Sequence, residues 1–189
     1  MRRHLAALTI MALSGLCLGA HPVNAQEPSA VGLWQNIDPE TGKPDGWFFI
    51  SERNGAYEGA IVKMFLKPND PPNPTCAKCE GDQKDAPWLG LTIIKGMARK
   101  GLMYEHGTIL DPRYGTEWKA LMTLSADGQD LTVRGYLAIP TFGKDQYWKR
   151  LPEACLAQLD PVLATRVKSL PVPKPGAPLP KGAKPAAAC

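Results

Sequence analysis

Between Gly32 and Leu151 the chain reads as about eight short segments of strand character, each ended by a strong turn signal. Gly32–Asn36 runs into Asp38-Pro39-Glu40-Thr41-Gly42-Lys43-Pro44-Asp45-Gly46, a loop saturated with turn formers. Trp47–Ser51 is aromatic and β-branched, and Asn54-Gly55 marks a tight hairpin into Tyr57–Met64. The Pro, Asn, Asp and Gly of Lys67 to Pro87 exclude a strand there. Strand character returns at Leu89–Lys95, then at Leu102–Glu105 and Thr108–Leu110 with Gly107 between them. Thr116–Leu124 alternates, with Trp118, Ala120, Met122 and Leu124 on one face and Glu117 and Lys119 on the other. Asp127-Gly128 turns the chain into Asp130–Ala138, and Asp145–Leu151 ends the series. No helix-period segment interrupts these strands, which argues against parallel βαβ units.

Twisted strands with one apolar face either stack as a sandwich or curl into a barrel, which removes exposed edges. Nearest-neighbour hairpins favour the barrel, and Gly59, Gly90 and Gly135 permit the bending that a small barrel needs. Gly32-Leu33-Trp34 opens the first strand and Trp148-Lys149-Arg150 ends the last. Small ligand-holding barrels often begin with Gly-x-Trp and lay a late Arg over that indole at the closed end. Gly32, Trp34 and Arg150 are therefore the expected barrel-closing residues. A guanidinium on an indole face contributes on the order of 1 kcal/mol, more when desolvated. A Gly-x-Trp triplet alone is a weak signal, and its position at the start of the strand series carries the reading.

Residues 1–25 read as an export signal: Arg2 and Arg3, an apolar run from Leu5 to Ala20, and cleavage after Ala25 in Val23-Asn24-Ala25. The alternative is an uncleaved anchor, since the run is near the length of a membrane span. Cleavage places the protein in the periplasm or outside the cell, with no stable membrane span left. Removing Arg2 and Arg3 takes the 22 basic residues to 20 against 18 acidic ones. Five bases lie beyond Asp160, so the strand region is near neutral and lacks the basic stripe of a nucleic-acid binder. After Leu151, Glu153–Leu159 is helix-like, and Asp160-Pro161 reads as an N-cap and first-turn proline for a helix reaching about Ser169. Leu156, Leu159, Leu163, Val167 and Leu170 are expected to pack on the barrel exterior. Pro, Lys, Ala and Gly dominate residues 171–189, which read as a disordered tail. The expected organisation is a signal over 1–25, a barrel over 31–151, a helical extension over 152–170 and the tail.

Four cysteines remain after cleavage, an even count that favours disulfides in an exported chain. Cys76-Ala77-Lys78-Cys79 admits three readings. A structural disulfide would pin the long loop. A redox pair would want a helix N-terminus to lower the thiol pKa, whereas prolines precede this pair and Glu80, Asp82 and Asp85 follow it. A zinc site would need two more ligands, and the mature chain holds one histidine, His106. Cys155–Cys189 would tie down the tail, a pairing that sequence alone does not establish. No serine sits in a nucleophile elbow, and His106 reads as a turn residue. No catalytic residue, metal or cofactor is therefore expected.

Trp34, Phe48, Ile50, Trp118, Met122 and Trp148 are candidate lining residues, Phe48 and Ile50 sharing one strand face. Lys63 and Arg134 lie in strands otherwise apolar or small. Pointing inward, they would hold the carboxylate of a fatty-acid-like ligand; pointing outward, they are solvated. Alternation favours the outward orientation for Arg134.

An ordered set of segments resembles a known family. It comprises Gly32-Leu33-Trp34, Thr41-Gly42-Lys43-Pro44, Asn54-Gly55 with Tyr57-Glu58-Gly59, Ile61-Val62-Lys63 and the Pro72–Cys79 run. It continues through Gly90–Gly96, Ile109–Pro112, Leu131–Tyr136 and Trp148-Lys149-Arg150. Together these segments look like the exported bacterial family catalogued as domain of unknown function 2147, over about residues 31 to 151. The resemblance implies a lipocalin-like barrel and brings no catalytic residues with it. The expected fold is an all-β, antiparallel, about eight-stranded barrel with a short C-terminal helical segment. The expected role is non-catalytic binding of a small apolar or amphiphilic ligand. An envelope interaction module with a filled barrel is the alternative, and a thiol-disulfide protein acting through Cys76 and Cys79 is a third reading.

Overall fold

Asn54 and Gly55 both take left-handed backbone, φ 53° and 81°, the two-residue turn whose twist matches antiparallel strands. Such connections order the whole computed structural model, which describes residues 27–168 and 189. The expected export signal, Leu170 at the end of the expected helical extension, and nearly all of the expected tail lie outside the described residues. Eight strands follow one another: β1 (Gly32–Ile37), β2 (Pro44–Arg53), β3 (Ala56–Met64), β4 (Thr92–Lys100), β5 (Met103–Asp111), β6 (Thr116–Leu124), β7 (Asp130–Tyr136) and β8 (Lys144–Arg150). Each pairs antiparallel with the next, and β1 pairs with β8 to close the barrel. No helix among the described residues is long and apolar enough to cross a membrane.

Strand boundaries differ from the sequence reading in three places. The first is β2, which begins at Pro44 inside the expected loop because Gly46 and Pro44 already pair with Asn36 and Ile37. The expected strand at Leu89–Lys95 begins later and runs on to Lys100. Leu91 donates to the Trp88 carbonyl, which folds residues 88–91 into a turn, and Gly96 (φ 67°) lets the strand kink and continue. The break expected between Glu105 and Thr108 is no turn. His106 takes φ 67° inside β5, and the pairing with β6 slips between Tyr104 and Gly107, which makes a bulge. A Cβ on Gly107 would lie 2.4 Å from the Lys95 carbonyl oxygen, so the bulge passes too close to β4 for any side chain.

The barrel interior is filled. Trp34, Ile50, Ile94, Met97, Tyr104, Met122 and Val133 are all 0 % exposed. A side chain with no area open to a water-sized sphere borders no cavity of that size, so these residues interdigitate across the barrel. Tyr57 and Tyr104 meet edge to face at 4.8 Å between ring centres.

A second apolar layer lies outside the barrel. Trp47, Phe48, Phe49 and Ile50 form an unbroken apolar run, the mark of a strand buried on both faces. Phe48 and Ile50 belong to the inner cluster, Trp47 and Phe49 to an outer one with Leu33 and Val62. The chain after Leu151 covers that outer face. A 3-10 turn (Glu153–Gln158) and helix α1 (Pro161–Lys168) bring Leu156, Leu159 and Val167 onto it. The Asp160 carboxylate accepts the Val162 N–H at 2.9 Å, the N-cap expected before Pro161. Cys155 and Cys189 are joined, which ties the C-terminus to this layer.

Closure of the ring rests on one buried cation. Trp34 and Arg150 lie opposite each other across β1 and β8, with the guanidinium carbon 4.2 Å from the indole centre. Arg150 donates to three carbonyls, those of Gly128 (2.5 Å), Val31 (2.9 Å) and Ser29 (2.6 Å). The Trp34 indole N–H donates to the Ala30 carbonyl at 2.8 Å. Gly32 is required here: it sits at φ 134°, and a Cβ would meet the guanidinium at 2.7 Å. Burial pushes Arg150 down to about 10, so it stays charged at neutral pH without a carboxylate partner. Arg150→Met should lower stability by about 3 kcal/mol, because three carbonyls lose a charged donor. It should show as a lower urea midpoint with an unchanged slope. Arg150→Lys should not restore stability, since a single ammonium cannot reproduce the planar fork.

Candidate functional site

Strand direction sorts the loops into two ends. The floor holds Trp34, Arg150 and the short turns at Asn54-Gly55, Gly101 and Asp127-Gly128. The opposite end, the mouth, carries the other four connections, 38–43, 65–91, 112–115 and 137–143, three of them longer than any floor turn. Along β8 the inward face climbs from Arg150 through Trp148 to Gln146, and exposure climbs with it, from buried Trp148 to exposed Gln146.

At the mouth Phe48 stacks on Trp148, with ring centres 4.3 Å apart and planes within 16°. The Trp148 indole N–H donates to Gln146 Oε1 at 3.1 Å. Phe48, Met64 and Trp118 are half-buried against the core and form its upper surface. Asn36 shares the inward face of β1 with Trp34, opposite Trp148 on β8 and Gly46 on β2. It is 8 % exposed, and its Oδ1 accepts no hydrogen bond among the described residues. A buried acceptor without a donor is costly, and it marks a place where a donor is wanted.

The candidates read from sequence therefore separate into three groups. Trp34, Ile50, Met122 and Trp148 are inside and sealed, at 0 to 1 % exposure. Phe48 and Trp118 are inside and reach the mouth. Lys63 and Arg134 are outside, away from the lining residues. The Lys63 ammonium lies 4.1 Å from the Trp47 ring centre and donates to Gln158 Oε1 at 3.1 Å, so it pins the C-terminal segment. Arg134 forms a bidentate pair with Asp145 at 2.5 and 2.6 Å and donates to the Pro140 carbonyl, bracing the β7–β8 turn. Asn36, Met64 and Gln146 were missed by the sequence reading. Parity with Trp34 and Trp148 was the signal that could have found Asn36 and Gln146.

Cys76 and Cys79 are joined by a disulfide and buried at 0 and 3 %. Cys76 Sγ lies 3.4 Å from the Pro112 carbonyl oxygen, so the bridge seats the 65–91 connection against the β5–β6 turn. Gly115 in that turn has φ 67°, and a Cβ there would lie 2.1 Å from the Lys78 carbonyl oxygen. His106 is exposed beside Glu105 and far from the mouth on β5. No cluster of potential metal ligands occurs among the described residues.

The mouth-side ion pair has a pH signature. Arg134 holds the Asp145 carboxyl below its ordinary value of 3.8. A depressed carboxyl stabilises the fold above its unfolded pKa, and that contribution is lost as pH falls through the folded one. Asp145→Asn should therefore melt below the wild type at neutral pH. Melting curves taken down the acid limb, from above 3.8 to well below it, should show the gap closing.

Comparison with known proteins places this geometry. The family model described as "Uncharacterized protein conserved in bacteria (DUF2147)" matches residues 32–150, which is β1 through β8. Among solved structures, protein HP1028 of Helicobacter pylori, described as belonging to the lipocalin family, superposes with a TM-score of 0.59 at 15 % identity. The match covers 70 % of this chain and 91 % of that one, and it shows a shared fold. No curated protein matches the chain.

Proposed function

The chain belongs to this bacterial family, and on that footing we propose that it is an exported, non-catalytic protein binding a small, largely apolar ligand at the mouth of its barrel. A lipocalin-like barrel suggests small-ligand binding in general. The observation that carries the finer reading is the unpartnered, buried Oδ1 of Asn36, paired across the seam with Trp148, in an upper barrel whose aromatic side chains Phe48 and Trp118 are only half-buried. Such a site favours an apolar body with one hydrogen-bond donor. The filled core below limits the ligand to the upper barrel. The inward side chains named in the upper barrel, Asn36, Phe48, Met64, Trp118, Gln146 and Trp148, are apolar, aromatic or amide groups, which supports binding over proton transfer there. Two disulfides fit an oxidising compartment, which supports export.

Native mass spectrometry of protein taken from its own envelope should show a bound small molecule. Long-chain fatty-acid-type ligands should quench tryptophan emission, and Phe48→Ala should weaken that binding by about tenfold through loss of the aromatic stack. A clean apo mass together with no quenching would sink this reading.

A second reading, an interaction module of the envelope, has one observation of its own. Leu137, Ile139 and Phe142 stand 64, 49 and 83 % exposed on the connection between β7 and β8. Exposed apolar side chains grouped on one loop mark contact surfaces. Replacing all three with serine should abolish co-purification of a partner while leaving fatty-acid quenching intact; retention of the partner would count against the module. The burial of both Cys76 and Cys79 supports a structural bridge over the thiol-disulfide reading.

A further inference from the structure

On the outer wall, outside the barrel lumen, two adjoining hollows run beside α1. The smaller, about 40 Å³, lies over Phe49, Val62 and Thr92 of the wall beneath Leu163 and Val167, with Arg53 and Glu58 also lining it. The larger, about 400 Å³, opens between residues 83–91, β4 and α1. Both are bordered by Gly90, Thr92, Leu163 and Arg166, so they form one continuous groove.

The larger hollow has a definite chemistry. Its walls are mainly apolar, through Ala86, Pro87, Leu89, Leu91 and Leu163. Leu89 is 39 % exposed, an apolar side chain left in water at the groove edge. Two cations, Lys95 and Arg166, line the larger hollow and no carboxylate does, whereas Glu58 and Arg53 line the smaller one. Lys95 is half-buried, and its ammonium makes no hydrogen bond or ion pair among the described residues. The ammonium of a half-buried lysine beside apolar surface is the complement of an alkyl chain ending in an anion. The volume falls in the range of small-ligand sites, roughly 300 to 1,000 Å³.

We infer that this outer groove binds a single-chain alkyl carboxylate, its chain along Leu89, Leu91 and Leu163 and its carboxylate on Lys95. Arg166 also lines this hollow. The α1 helix supplies one wall, so the C-terminal segment covers the outer face of β2 and β3 and also completes a binding site. This site lies outside the barrel lumen, and the two readings stand or fall independently.

Amide NMR of the full chain, titrated with sodium decanoate below its micelle concentration, tests this directly. Shifts should concentrate at Leu89, Gly90, Lys95 and Leu163. Lys95→Glu should raise Kd by about tenfold or more, whereas Phe48→Ala should leave it unchanged. Lys95→Met keeps the apolar stem and loses the charge, so it should weaken binding in the same direction if the Glu variant fails to fold. Decyltrimethylammonium, with the same chain and opposite charge, should not bind there. Shifts confined to Phe48, Trp118 and Trp148, no shifts at all, an unchanged Kd in both Lys95 variants, or equal binding of the cationic amphiphile would each overturn the inference.

Discussion

The buried guanidinium of Arg150 is the interaction on which the rest of the barrel depends. A barrel gains from closure only if its first and last strands stay in register, and that seam joins the strands farthest apart in the chain, so it carries the largest loop-closure cost. Here the seam is locked by a planar cation that lies on Trp34 and draws three carbonyls to itself. Those carbonyls come from two places, the segment before β1 and the turn between β6 and β7. One side chain thus joins the N-terminus, the floor and the last strand. The arrangement tolerates a charge in a desolvated place because every partner is a neutral dipole aimed at it, and no second ion has to be desolvated as well.

From this floor upward, the structure becomes steadily less closed. Fully sealed side chains fill the lower barrel, and half-buried aromatics form its upper surface. The polar exception inside the wall, Asn36, sits at the boundary between the two regimes. A lipocalin-like ring need not be hollow throughout to present a site. The filling of the lower half gives the upper half a rigid base under the stacked Phe48 and Trp148.

Much of the fold was legible in the sequence, for definite reasons. Turn residues with an obligatory backbone conformation, such as Asn54-Gly55, set the hairpins, and clean alternation in β6 and β7 set the inward faces. Gly32, Trp34 and Arg150 were readable because closing a ring requires specific residues at both ends of the strand series. The boundaries of β4 and β5 were not readable. Bulges at Gly96 and His106 interrupt the alternation, and a glycine inside a strand looks like a glycine in a turn until its partner strand is known. The orientations of Lys63 and Arg134 depended on partners distant in sequence, Gln158 and Trp47 for one and Asp145 for the other. The mouth residues Asn36 and Gln146 were overlooked because polar residues in strands are ordinarily assigned to the solvent face. The outer groove is built from four separate stretches, and no local pattern could announce it.

The double burial of β2 bears on where this protein ends as a folding unit. The family match stops at residue 150, with the last strand, and all eight strands lie within it. Yet Leu33, Trp47, Phe49 and Val62 turn outward there, and residues 151–167 with the Cys155–Cys189 bridge keep water from them. A chain cut at the family boundary would possess a complete ring and a bare apolar strip along three neighbouring strands, a surface prone to self-association. The unit that shares ancestry and the unit that stays soluble are therefore different lengths of the same polypeptide.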